Sequence, residues 1–330
     1  MQDGNRIDNA SGVENTLPPA NTAPPIYSRI PRGVSIRLFS PTLVEYPPGE
    51  FRNPLASIVV RPDLMMMVTA FEGIETPEEY YSETEFLSPF EVRLLATILL
   101  SWDTESGIFG LYPTVENLQR PYLGLDLSDP CVLDDLIDEF RIFLIQSSTF
   151  QKLHKPPCAG GQPYRFNEYA TLGYQRQPEI FASIDVNDHL VIRGLGALIK
   201  ASMLAYVPEL IESGCMWLWV AMEASLRIIL RELKESGMPN PTPADAGRFL
   251  DEAFNNVESG GYFVGYYEAR IKTIHPESRF GIFPAAPLGV DDFCDLYRLL
   301  TEVYSYLLTD YIPDEPQDDS VDTSETDDPS

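Results

Sequence analysis

Arg270 and His275, with four residues between them, stand in residues 266–281 (YYEARIKTIHPESRFG), the stretch best equipped for chemistry. An imidazole titrates near neutrality and can move a proton to or from a hydroxyl. A guanidinium stays charged and forks onto two oxygens of a phosphate. Lys272 and Arg279 add positive charge, so three bases face Glu268 and Glu277, and these 16 residues carry +1 in a chain of formal charge −27. His275 is one of only three histidines.

Upstream of Pro276 the pattern is helical, with Phe263, Tyr267, Arg270 and Ile274 at spacings of four, three and four. Residues five apart on a regular helix point about 140° apart. Pro276 disfavours α geometry at His275, so the spacing predicts a helix ending there, which lets guanidinium and imidazole converge.

The elements that must position this pair are helical. From residue 184 the sequence predicts a helix over 188–206, with Gly194 and Gly196 for close packing. A second opens at Pro208, with Ile211, Cys215, Leu218, Met222, Leu226, Ile229 and Leu233 as its stripe and Gly237 as its stop. Thr242-Pro243 caps a third carrying Phe249, Phe254 and Val257. The Arg270 helix follows, and Asp291 caps the last, striped by Phe293, Leu296, Leu300, Val303, Leu307 and Tyr311. Helices with short connections predict an antiparallel bundle over 184–312. Glu223, one residue past Met222, is the expected support for the Arg270 guanidinium.

The first part reads differently. Residues 1–33 are Pro- and Asn-rich with few large apolar groups, the composition of a flexible leader. Residues 34–183 predict an α+β domain of unknown role. Its strands are expected at 34–39, 57–60 and 64–71, with prolines 41, 47, 48, 54 and 62 pointing to edge strands or loops. Met65-Met66-Met67 reads as core filling. Ser88-Pro89-Phe90-Glu91 is a capping box opening a helix to about Trp102, and Asp129-Pro130 opens another striped by Val132, Leu136, Phe140 and Phe143. Loops are expected between and after these two helices. Asp134, Asp135, Asp138 and Glu139 read as a solvated helix face.

With the helices and the Arg-x4-His spacing in place, the C-terminal part over roughly 186–311 resembles the HEPN domains of bacterial RNase and toxin-type proteins. The resemblance implies that His275 is the general acid/base and Arg270 the phosphate clamp of a metal-independent endoribonuclease. Such an enzyme drives a ribose 2′-hydroxyl onto the adjacent phosphate, with RNA as ligand, no cofactor, and a homodimer that brings two motifs together. Lys272, Arg279 and Glu223 would support the site. This chain has Ile271 where the family often places Asn, Asp or His after the arginine.

A competing reading is a non-catalytic bundle that serves interaction or regulation, its acidic tail engaging basic partners, with the N-terminal part binding another protein. Charge favours this alternative. The chain has 23 Lys and Arg against 50 Asp and Glu, and residues 186–311 hold 10 against 17. That balance argues against a broad electrostatic grip on nucleic acid or an anionic membrane. Residues 313–330 are acidic without apolar anchors, a pattern of disorder. The four cysteines lack metal spacing and read as free thiols. No signal-peptide pattern and no apolar run of 18 residues is read, which predicts a cytoplasmic protein without a membrane span.

Overall fold

The computed structural model describes residues 31–39, 49–61, 64–72, 87–101, 113–123, 125–146, 176–205, 208–254, 265 and 290–312. Five antiparallel strands, β1 (Pro31–Phe39), β2 (Gly49–Arg52), β3 (Ala56–Arg61), β4 (Leu64–Glu72) and β5 (Pro113–Leu123), form one sheet in the order β2-β3-β4-β1-β5. β1, β3 and β4 are interior strands, so of the two expectations raised by the prolines, edge strands or loops, the edge reading does not hold for them. Pro54 instead sits in the β2–β3 turn, where the Asn53 amide donates to the Ala56 carbonyl at 2.8 Å. β2 and β5 were not expected as strands. β5 contains Pro113 and Pro121 and lies at the edge, where proline is tolerated, and Pro121 falls in the register shift between Gln119 and Tyr122.

Both faces of the sheet are buried. Strand alternation sends Val34, Ile36, Val59, Met66 and Val68 to one face, against Leu133, Leu136 and Ile137. Ala56, Ile58, Val60, Met65 and Met67 point the other way into a larger core. The methionine triplet therefore fills two cores.

Helix α1 (Pro89–Leu100) lies in that larger core and is buried at nearly every position from Glu91 to Leu100, with only Arg93 partly exposed. A helix apolar all round must be covered on all sides. The Ser88–Glu91 capping box forms as the sequence predicts. Helix α2 (Pro130–Gln146) covers the opposite face of the sheet, and Asp129 accepts the Cys131 amide at its start. Asp134, Asp135, Asp138 and Glu139 are exposed on α2, as expected, while the side chains of Phe140 and Phe143 lie outside the described set. The short helix α3 (Gln177–Ser183), unread in the sequence, seats Phe181 against Phe51 and under the Arg93 guanidinium.

Four helices follow: α4 (His189–Leu204), α5 (Ile211–Glu235), α6 (Pro243–Phe254) and α7 (Val290–Thr309). Asp188 caps α4 through the amides of Leu190 and Val191. Gly237 ends α5 at φ 99°, with the Met238 amide returning to the Leu233 carbonyl, the bond expected of a left-handed glycine cap. Thr242 and Asp245 cap α6 reciprocally. Asp291 lies inside the first turn of α7 rather than at its cap, and Tyr311 falls beyond the helix and is exposed.

Their directions follow from five contacts. A Cβ on Gly194 would lie 1.8 Å from the Tyr304 hydroxyl and 3.1 Å from Ala224, and one on Gly214 would lie 2.8 Å from Phe293 and 3.7 Å from Leu204. The Tyr304 hydroxyl donates to the Ala221 carbonyl at 2.7 Å. α4 thus runs antiparallel to α5, whereas α7 runs beside α5 in the same direction, a departure from a wholly antiparallel bundle.

One connected core contains residues of β3, β4, α1 and all of α3 to α7, so sheet and bundle are packed together. Among the described residues α5 alone is long and apolar enough to cross a membrane by length and composition, and most of its apolar stretch is buried in this core.

Candidate functional site

Arg270, His275, Lys272 and Arg279 lie outside the described residues, as does the helix expected around them apart from Gly265. What the structure positions is their setting. α6 ends at Phe254, whose ring centroid is 5.6 Å from that of Tyr306 on α7, and Phe249 packs on the same ring at 5.9 Å. α7 begins at Val290, 16 residues before Tyr306. At a rise of 1.5 Å per residue, the end of α6 therefore packs about 24 Å along α7 from its first residue.

Glu223 is the one candidate support within the described set. It sits half-buried on α5, and the Arg227 guanidinium, one turn on, approaches its carboxylate at 3.3 Å. The other carboxylate oxygen, Oε2, is buried, so Glu223 stands at the margin of the apolar stripe rather than out in solvent.

Three other charged groups are held in defined settings. Arg37 from β1 and Glu91 from α1 form an ion pair with side-chain exposures of 2% and 0%. Thr69 donates to the same carboxylate at 2.8 Å and the Ser88 amide at 2.7 Å. This cluster was illegible in the sequence, where Arg37 reads as the polar side of an alternating strand.

Arg176 donates to the hydroxyls of Ser305 and Thr309 and covers the Tyr311 ring at 3.4 Å. Burial lowers its pKa, and the negative charge available from Tyr311 and Glu179 works against that shift. Its place at the end of α7 puts a cation on the negative end of a helix. Arg231 on α5 meets Asp188 at 2.6 Å. Burial pushes the Asp188 carboxyl up, but the Arg231 bond and the two capping amides outweigh it and hold it below its ordinary range.

The described cysteines are free. Cys215 is buried, and burial together with Asp292 and Glu212 pushes its thiol up to about 11, which makes it a packing residue. Among the described residues no group of three His, Cys, Asp or Glu is placed to hold a metal. No family model, no curated protein and no solved structure matches the chain.

Proposed function

We propose that the protein is a metal-independent endoribonuclease-type effector of the toxin or defence kind with a HEPN-like C-terminal bundle. Arg270 holds the scissile phosphate and His275 moves the proton. The imidazole accepts the proton of the ribose 2′-hydroxyl as its oxygen bonds to phosphorus. The bond to the 5′-oxygen breaks, and that oxygen takes up a proton. The products are a 2′,3′-cyclic phosphate and a 5′-hydroxyl.

The observation that carries this reading is the place of the Arg-x4-His spacing in the chain. It falls between α6 and α7, helices joined through Phe254 and Tyr306, and close in sequence to the last helix of a packed bundle. The positive balance of residues 266–281 supports recognition of one phosphate within an acidic surround.

The test is incubation of the full chain with mixed RNAs, with and without chelator, and analysis of the ends. Cleavage to cyclic phosphate that survives chelation and is lost in His275→Ala supports the reading. Cleavage that persists in His275→Ala, or none by wild type with or without candidate partners, sinks it.

A second reading, an interaction module, is favoured by a separate observation. Leu210, Met216 and Trp217 are exposed at 40%, 37% and 36% at the start of α5.

A further inference from the structure

Arg93 of α1 is a cation that the fold holds in place without a counter-ion. Its Nε donates to the Phe181 carbonyl at 2.7 Å, and its guanidinium lies over the Phe181 ring at 3.9 Å. Phe51 of the edge strand β2 backs that ring, with centroids 5.1 Å apart. These contacts fix the plane of the group and leave its Nη1 and Nη2 edge as the open one. Among the described residues no carboxylate is in ion-pair contact with Arg93, in a chain with 50 acidic residues against 23 basic ones. Asp185 acts on it only from a distance, its Oδ1 being bonded to the backbone amide and side chain of Asn187. Burial pulls the Arg93 pKa down despite that charge. A partly desolvated guanidinium with an open fork matches the two oxygens of a carboxylate.

Carboxylates leave the fold at the other end of α3. Arg176, just ahead of α3, donates to Ser305 and Thr309 and is covered by the Tyr311 ring, which fixes the end of α7 there. Phe181 is five residues beyond Arg176, about 7.5 Å at the helical rise. The described residues end at Ile312, and residues 313–330 (PDEPQDDSVDTSETDDPS) carry eight acids and no base. Asp314 and Glu315 come three and four residues after Tyr311, a reach of up to about 10–14 Å in extended chain.

We propose that Arg93 is the docking site of the chain's own C-terminal segment, with the carboxylate of Asp314 or Glu315 seated on the guanidinium fork. A tether of so few residues keeps these carboxylates at roughly millimolar effective concentration, so one charge-assisted pair holds them where a free acidic peptide would dissociate. A phosphate from outside must approach against the −27 charge of the chain, whereas the tethered carboxylates are already in place. α3 is then clasped at both ends, through Arg176 on α7 and through the tail on Arg93. The inference uses neither Arg270 nor His275 and holds whether or not the protein cleaves RNA.

Zero-length cross-linking of the full chain tests it. In the Arg93→Lys variant a carbodiimide should join the new amine to Asp314 or Glu315 of the same chain, read by peptide mass spectrometry. Adding Asp314→Asn/Glu315→Gln should abolish that link, as should roughly 1 M salt, where the screening length falls to about 3 Å. An arm that leaves Arg93 untouched uses nuclear magnetic resonance of the isotope-labelled chain. The Arg93 Nε–H signal should shift when Asp314→Asn/Glu315→Gln removes the two carboxylates, with the circular dichroism spectrum unchanged. A link from the new amine to Asp185 alone, a link that joins two chains, or no link at all overturns the proposal. So does an Arg93 signal indifferent to the tail substitutions.

Discussion

The carboxylate of Glu91 closes the capping box of α1 at Ser88 while receiving the Arg37 guanidinium from the middle of the sheet. One side chain thus fixes both where α1 begins and which strand it lies on. Removing one member of such a pair strands a charge in the core, at a cost of about 3–5 kcal/mol. Arg37→Met and Glu91→Leu should each lower stability on that scale in denaturant titrations. The double variant should cost less than the sum, because neither charge is left behind. A purely additive result would mean the two groups are solvated independently.

Gly194 and Tyr304 make a second test. A Cβ at 194 would meet the Tyr304 hydroxyl at 1.8 Å and its ring carbon at 2.6 Å, so Gly194→Ala should overpack the α4–α7 contact by about 1–3 kcal/mol. In a Tyr304→Phe background, which removes the nearer atom and the bond to Ala221, the same substitution should cost less. Melting curves of the four proteins decide it, and an equal cost in both backgrounds would place the strain elsewhere.

Two carboxylates on the bundle shift in opposite directions, which gives a signed pH dependence. Burial, reinforced by Asp310 and Glu235 against the opposing pull of Arg231, raises the Glu232 pKa above its ordinary value. Ionised Glu232 therefore opposes folding, and stability from this residue is gained as pH falls through its folded pKa. Asp188, held low by Arg231, contributes stability above its unfolded pKa and loses it as pH falls through the folded one. Glu232→Gln should raise the melting temperature at neutral pH and lose that advantage below the ordinary carboxylate range. Asp188→Asn should lower it at neutral pH, with the difference closing in acid. Melting temperatures from pH 3 to 8, as roughly the range over which stability responds to carboxylates, check both.

Glu223 separates support of the site from support of the fold. The i,i+4 pair that half-buried Glu223 makes with exposed Arg227 is worth about 0.3–0.5 kcal/mol. A glutamine keeps the same shape and an acceptor oxygen, so Glu223→Gln should change stability little. If the carboxylate steadies Arg270, the same variant should lower RNA cleavage at saturating substrate without altering pH dependence. Arg270→Lys should retain only partial activity, since an ammonium lacks the bidentate fork. Unchanged cleavage in Glu223→Gln would remove that residue from the site.

Local rules made much of this fold legible. The Ser88–Glu91 box, the Gly237 stop and the stripe from Ile211 to Ile229 are short-range patterns, and each occurs where the sequence puts it. What escaped depends on distant partners. β5 has no clean alternation and becomes a strand because β1 offers it an edge, with Leu38 opposite Val115 and Val34 opposite Gln119. Arg37 and Thr69 look like an outward polar row until α1 is known to cover them. Of the candidate site, only Glu223 falls among the described residues; Arg270, His275, Lys272 and Arg279 do not.

The sandwiched position of α1 has a consequence for synthesis. Its strands are complete by Glu72 and the helix by Leu100, but α4, which brings Gly196 against Val92, ends only at Leu204. At about 5–20 residues per second, the ribosome needs roughly 5–20 s to make that interval. Throughout it, one flank of a helix that is apolar over most of its surface has no cover, and the nascent chain must keep it from finding another. The N-terminal half is in this sense a client before it is a structure: its cover arrives late, and chaperone demand should peak between those two points of elongation.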